Sequence, residues 1–292
     1  MPSYNHARFV QQTIQSVINQ DYANIELIII DDGSSDDSVN VINALAAACQ
    51  ARFVRFAFHH RPNRGLSATL NEALAWSTGD YFSTIASDDI MYPNKTSVLL
   101  GYLEADPDAA GVFCGCDVID SQGTTVGALP GINAVFNFDD VILLRHSILA
   151  PTQLLRTSCM RRVGGYRDGI YIEDWYMWLA LSGAGYNLRV VAERLVGYRQ
   201  HDRNSSTDAQ RMFQERRAIL ALYASDRRYQ RSLATVCMWA SIDFTSISKL
   251  RSTTYLVKAF LCDPRIVFTG KFHECVLRIL IPRRIVAWLK TR

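Results

Sequence analysis

The stretch Asp80-Tyr81-Phe82-Ser83-Thr84-Ile85-Ala86-Ser87-Asp88-Asp89-Ile90-Met91-Tyr92-Pro93 decides the fold. Its first half mixes Tyr, Phe, Thr and Ile with small residues, the composition of a strand buried in a sheet. Its second half carries two adjacent carboxylates and closes on Pro93, so acids are expected where a strand ends. In an open α/β sheet that end faces the ligand crevice, where paired carboxylates can hold a hard divalent cation against phosphate oxygens. The same residues also suit a plain turn and helix cap before a helix starting near Pro93.

Upstream, His6 to Gln20 sets Ala7, Val10, Ile14, Val17 and Ile18 at helical spacing. Ile25 to Ile30 is a continuous apolar run, which reads as a central parallel strand covered on both faces. It ends in Asp31-Asp32-Gly33-Ser34, and a second helix follows to about Cys49. A third strand is expected from Arg52 to His59, then a turn at Arg61-Pro62-Asn63-Arg64-Gly65 and a helix from Ser67 to Trp76 that contains Asn71. After the Asp80 strand come a helix to Glu104 and a strand from Ala110 to Ile119. Repeated strand and helix imply a doubly wound parallel sheet with right-handed crossovers, which sets Asp31, Asp32, Asp88 and Asp89 along one edge.

The pattern weakens between Ser121 and Leu149, where Gly, Pro and Asn are scattered. A short strand is expected at Gln153 to Arg156, and Gly164-Gly165-Tyr166 follows. In Glu173-Asp174-Trp175-Tyr176-Met177-Trp178-Leu179, Trp175, Trp178 and Leu179 form the buried stripe of a helix, so Glu173 and Asp174 belong to its first turn. Acids there also have a purely structural use, because they complement the helix dipole. A strand at Tyr186 to Val191 precedes the polar loop Tyr198 to Ser206, which contains His201; a lone loop histidine is ordinarily a surface residue. From Asp208 onward the spacing is helical throughout.

With 292 residues, 49% apolar and 20% charged, the chain has the composition of a globular protein with room for a sizeable domain and an appendage. Its apolar runs stop short of the roughly 18 residues of a spanning helix, and Met1-Pro2-Ser3-Tyr4-Asn5 is no secretory leader, so a cytoplasmic protein is expected. Seven cysteines without a Cys-x-x-Cys pair suit a reducing compartment. The net charge of +3 argues against a nucleic-acid partner. Seven Lys or Arg against one Glu lie between Pro264 and Arg292. Within that tail, Arg283 to Arg292 sets Ile285, Val286, Trp288 and Leu289 opposite Arg283, Arg284 and Lys290, the pattern of a basic helix lying on an anionic membrane or docked on the domain.

Taken in order, Pro2-Ser3-Tyr4-Asn5, Ile30-Asp31-Asp32-Gly33-Ser34, Asn63-Arg64-Gly65 with Asn71, Ser87-Asp88-Asp89, Gly164-Gly165-Tyr166, Glu173-Asp174-Trp175 and Arg199 with His201 and Ser205 resemble the family 2 glycosyltransferases. The likeness covers the first 206 positions. It implies a GT-A fold, the Rossmann-like mixed α/β sheet of nucleotide-diphospho-sugar transferases flanked by helices, with a helical C-terminal region. The expected division is a transferase domain at 1–207, with a nucleotide half to about 119 and an acceptor half from 120, then 208–292. The implied reaction is inverting transfer of a sugar from a nucleotide-diphosphate donor, UDP being the usual nucleotide, to a saccharide or lipid-linked acceptor in cell-surface polysaccharide or glycolipid synthesis.

By the same resemblance, Pro2, Tyr4, Asn5 and Asp32 surround the nucleobase, Asn63, Gly65 and Asn71 lie under the nucleotide, and Asp88 approaches the ribose or donor sugar. Asp89 holds Mn2+ or Mg2+, with His201 a further metal or diphosphate contact. Asp174 is the implied catalytic base with Glu173 beside it. Ala86 stands where the family often has a first acid, which leaves open which acid meets the metal. Family members usually carry an apolar strand ahead of the Pro-x-Tyr-Asn motif, whereas this sequence starts at the motif. That implies a start further upstream, or an open groove beside Ile25 to Ile30 with low stability. Two other readings are a non-catalytic sugar-nucleotide-binding partner and a sugar-phosphate nucleotidyltransferase, although the latter opens with a Gly-rich basic loop that is missing here.

Overall fold

The computed structural model describes residues 1–145, 148–201 and 208–281. The basic segment Arg283 to Arg292 and Ser205 lie outside the described residues. Among those residues the chain divides into two compact units, one within 1–141 and 146–202, the other within 142–145 and 203–292.

The first unit begins β1 (Pro2–Ser3), α1 (Val10–Ile18), β2 (Glu26–Asp31), α2 (Ser38–Ala44), α3 (Ala46–Arg52), β3 (Arg55–His60) and α4 (Leu66–Trp76). It continues with β4 (Tyr81–Phe82), β5 (Ile90–Met91), α5 (Lys95–Glu104), β6 (Ala109–Ile119), β7 (Thr125–Leu129), β8 (Ala134–Phe136) and α6 (Phe138–Ile142). It closes with β9 (Gln153–Arg156), α7 (Thr157–Arg162), α8 (Glu173–Gly183) and β10 (Asn187–Arg199).

Strands β1, β2 and β3 form a parallel sheet in that order, and Leu27 to Ile30 are all buried, as the unbroken apolar run requires. Met1, Ile14, Val17, Leu27, Ile29 and Ile42 pack as one core around it. The groove beside the Ile25–Ile30 run is filled at its far end: Pro2 and Ser3 pair with Ile30 and Asp31, and the Met1 amine donates to Ile28 O at 2.7 Å. Burial pushes that amine down to about 5.

The second sheet is mixed, in the order β4-β9-β6-β10-β5 with β7 beside β6 and β8 beside β10. Only β6 and β10 run parallel; β4–β9, β6–β9, β6–β7, β10–β5 and β10–β8 are antiparallel. The expected doubly wound parallel sheet is therefore corrected to a parallel sheet followed by a mixed one. The expected strand through Asp80–Ser87 is also corrected. Only Tyr81–Phe82 of it is strand, because Ser83 Oγ and Thr84 Oγ1 donate to Gln153 O and Ala150 O, and Asp89 N–H turns back to Ala86 O, and the short strand β5 follows only after the acids. Leu99, Leu103, Val112, Leu154 and Val196 fill the core of this sheet.

The second unit is helical in its described part: α9 (Ala209–Ala221), α10 (Tyr229–Phe244), α11 (Lys249–Cys262) and α12 (Gly270–Leu280). Caps start three of these helices, with Asp208, Ser248 and Thr269 side chains accepting from backbone N–H groups of the first turn. No helix among the described residues is long and apolar enough to cross a membrane.

Candidate functional site

Strand β2 delivers two acids with different surroundings. Asp31 is fully buried, and its carboxylate accepts from Ser3 Oγ at 3.0 Å, Ser34 N–H at 2.8 Å and Ser34 Oγ at 2.6 Å, with His60 Nδ1 at 3.0 Å. Those bonds shape the loop after the strand. The Asp32 carboxylate accepts from Arg64 N–H at 2.8 Å, Gly65 N–H at 2.9 Å and the Arg61 guanidinium. Gly33 has φ +82, and a Cβ on it would stand 2.8 Å from Asn63 N, so the Asp31–Ser34 loop and the Arg61–Gly65 loop meet where only glycine fits.

Asn5, itself at φ 55, donates its N–H to Ser34 Oγ and accepts from Ser35 N–H through Oδ1, both at 2.8 Å. Asn63 Oδ1 accepts from Gly65 N–H at 3.2 Å. Pro2 to Asn5, Asp32 and Asn63 to Gly65 are thus one woven rim, from which the half-exposed ring of Tyr4 stands out at 50% exposure.

Ser87-Asp88-Asp89 forms the turn between β4 and β5, and its two acids point apart. Asp88 Oδ2 lies 3.0 Å from His201 Nε2 and Asp88 Oδ1 lies 3.8 Å from His6 Nδ1. These three side chains offer ligand atoms within 4.8 Å of one another. Asp89 is 2% exposed and accepts from Arg199 N–H at 2.8 Å, so burial first, and Asp88 second, hold its carboxyl well above the usual carboxylate range. The acid chosen from the sequence to meet a metal thus faces the backbone, and its neighbour faces the imidazoles.

Arg199 locks this turn from below. Its buried guanidinium donates to Asp88 O at 2.7 Å, Asp120 O at 2.9 Å and Gln12 Oε1 at 2.6 Å. Phe9 packs between Arg199, at 4.9 Å, and the His201 ring, stacked at 5.0 Å and 25°. His6 holds Ser87 Oγ at 2.8 Å from its Nδ1. Burial pushes the His6 imidazole below its ordinary value, and Asp88 pulls it back up. Sequence reasoning passed over His6 and Phe9, although both sit just after the Pro-x-Tyr-Asn motif; only their position beside His201 gives them meaning.

Glu173 and Asp174 open α8 as the Trp stripe requires. Glu173 is buried and held well above the usual carboxylate range by that burial and by Asp174. Asp174 is half-buried, with Oδ1 accepting from its own neighbour's N–H, Trp175, at 2.6 Å. One amide side chain ties this helix to the segment leading to Asp88, and a second ties α4 to the Gly164–Tyr166 segment ahead of α8. Gln153 accepts from Trp178 Nε1 at 3.1 Å and donates to Thr84 Oγ1 at 2.7 Å, four residues ahead of Asp88. Asn71 donates to Tyr166 O at 2.7 Å and accepts from Tyr166 N–H at 2.8 Å. Gly165, at φ +73, lies so close to Asn71 Oδ1 that a Cβ would approach to 2.8 Å. The Asn71 amide, placed under a nucleotide by resemblance, is engaged by backbone.

A divalent cation fits the chemistry of Asp88, His201 and His6, since one carboxylate and two imidazoles form a mixed oxygen and nitrogen donor set that a first-row transition ion accepts more readily than Mg2+.

The fold is that of solved nucleotide-sugar enzymes at low sequence identity. The Staphylococcus aureus TarS fragment 1–349 in complex with UDP-GlcNAc superposes with a TM-score of 0.63 at 13% identity, covering 98% of this chain and 81% of that one. The mannosyltransferase PcManGT from Pyrobaculum calidifontis in complex with GDP-Man and Mn2+ gives 0.60 at 15% identity, over 95% and 84%. Such likeness establishes the GT-A architecture. In sequence, an uncharacterized glycosyltransferase of Rickettsia typhi is 26% identical over 228 residues, 75% of this chain and 68% of its own length. The putative glycosyltransferase EpsE of Bacillus subtilis is 29% identical over 197 residues, 65% and 68%. An uncharacterized glycosyltransferase of Rickettsia felis is 28% identical over 189 residues, and there the match spans only 30% of the longer relative. The family model for glycosyl transferase family 2 matches residues 1–148, half of the chain and both acidic loops, at Asp31-Asp32 and Asp88-Asp89, and the chain therefore belongs to that family.

Proposed function

We propose that this chain transfers a sugar from a UDP-sugar to an acceptor hydroxyl with inversion at the anomeric carbon. The observation that carries the reading is the meeting of Asp88 with His201 and His6 at the end of a GT-A nucleotide half. Asp88, His201 and His6 would hold a divalent cation, Mn2+ before Mg2+, whose charge would neutralise that of the departing diphosphate. The rim of Tyr4, Asn5 and Asp32 receives the base: Tyr4 offers its exposed ring for stacking, and Asp32 keeps acceptor capacity on Oδ2 for a ring N–H. The UDP preference draws on TarS, whose structures contain UDP and UDP-GlcNAc; PcManGT with GDP-Man is the counter-example.

Asp174 acts as general base, taking the proton from the attacking hydroxyl. Burial disfavours the ionised form of Glu173, which leaves Asp174 as the carboxylate suited to accept. A single displacement with one base and no enzymic nucleophile inverts the centre. The acceptor is a saccharide or lipid-linked saccharide of the cell surface, in keeping with a peripheral enzyme on the inner face of the membrane. The test is nucleotide release from UDP-, GDP- and dTDP-sugars with Mn2+, repeated with Asp174→Asn. Turnover of one donor is expected, with UDP binding kept in the variant and transfer reduced by about 10² to 10⁴. Transfer at the original rate in the variant would remove Asp174 from the chemistry, and turnover of no donor would remove the enzyme reading.

A further inference from the structure

The solvent side of α11 runs against the usual pattern of a surface helix. Its inner face buries Ser252, Tyr255, Leu256 and Ala259, as a helix packed on a core should. Opposite that face, where charge is expected, Leu250, Val257 and Leu261 follow one another at i, i+7 and i+11, exposed by 80%, 51% and 73%. Arg251 and Lys258 flank the stripe on one side and Phe260 on the other, and α11 contains no acidic residue. A little further on, Phe268 is exposed by 85%.

Charge selects the occupant of this face. From Lys249 to Arg292 there are ten Lys or Arg and two acids, whereas the other 248 residues carry 21 against 26. An apolar crest edged by cations, within a basic segment of a chain whose remainder is net acidic, matches an anionic bilayer, where acyl chains take the leucines and headgroups the basic edge. A second copy of the same helix would bring Arg251 and Lys258 against their own kind.

We propose that α11 is a membrane-docking surface for anionic lipid, with Leu250, Val257 and Leu261 as the inserted crest and Arg251 and Lys258 as the headgroup contacts. This surface is separate from the Asp88 site and does not depend on the transferase reading. The experiment is co-sedimentation of the full chain with phosphatidylcholine vesicles, with and without phosphatidylglycerol, across a salt series. Wild type is expected to pellet only with the anionic vesicles and to be released by salt. Leu250→Asp with Leu261→Asp, and separately Arg251→Glu with Lys258→Glu, should each lower the partition at least tenfold while leaving the melting temperature and UDP binding unchanged. Wild type left in the supernatant, or either variant bound as tightly as wild type, would overturn the proposal. So would self-association of wild type that Leu250→Asp with Leu261→Asp abolishes without a change in vesicle binding, since the crest would then be an interface between copies.

Discussion

Asp88 turns its carboxylate toward His201 and His6, whereas Asp89 turns inward to the Arg199 backbone, and the peptide between them is all that separates the two environments. A buried carboxylate that already accepts a backbone bond, and whose ionised form burial disfavours, is a poor ligand for a cation, because binding requires the charged form in a low-dielectric surrounding. Asp88, at 7% exposure, instead has its two carboxylate oxygens beside imidazoles, side chains that can join it around one cation. Asp88→Asn is therefore expected to weaken Mn2+ binding at least about tenfold, read by electron paramagnetic resonance of the free ion, with the fold intact. Asp89→Asn should keep Mn2+ binding, because the amide oxygen can still accept from Arg199. The reverse pattern would return the cation to Asp89. His6 is the residue that sequence could not offer: positions 6, 88 and 201 share no spacing, and only the β1–α1 corner and the end of β10 bring them together.

Elements were legible where one force dominated. The run Leu27–Ile30 reads as a strand because every side chain in it is buried, and β9 reads over Gln153–Arg156 around the buried pair Leu154 and Leu155. Strand β10 was foreseen only to Val191. Exposed Ala192, Glu193 and Arg194 break the apolar pattern at an irregularity in its pairing with β6, after which the strand resumes to Arg199. The helix expected to about Cys49 is broken at Leu45 into α2 and α3. No pattern announces the role of Lys95, the first residue of α5, whose buried amine donates to Ser83 Oγ at 2.8 Å and Gln153 O at 3.4 Å beneath the acid turn. Burial pushes it down from 10.5 to about 8, and the positive end of a helix is in any case a poor place for a cation. The folded state thus binds fewer protons than the unfolded chain between those two values. The contribution of this group to stability accordingly rises with pH across about 8 to 10.5, by up to about 1.4 kcal/mol per pH unit, against a fall contributed by Cys49 and Cys116, whose thiols burial pushes up to about 11. Lys95→Met should remove that rise in a urea-denaturation series taken over the same window. A variant that keeps the wild-type slope would show that another group titrates there.

At the scale of the whole chain, both apolar clusters under the two sheets lie in the first unit, and so does every residue assigned to the donor and cation. Ligand that binds only folded protein stabilises whatever must be intact to bind it, by RT ln(1 + [L]/Kd), about 2.7 kcal/mol at a hundred times Kd. Asp32 follows directly on β2, Asn5 bonds to Ser34 just beyond it, and the turn at Asp88 is bonded by Arg199 of β10, which pairs with β6, so those strands are the unit to which the stabilisation belongs. With UDP and Mn2+ at that excess, amide exchange in β2 and β6 should slow by up to about a hundredfold, while α10 and α11 exchange as before. Equal slowing in α10 and α11 would mean that the chain opens as one cooperative block. No slowing in β2 would mean that the nucleotide binds without needing the loop that Asp31 and Asp32 build, and the assignment of Asp32 to the base would fall with it.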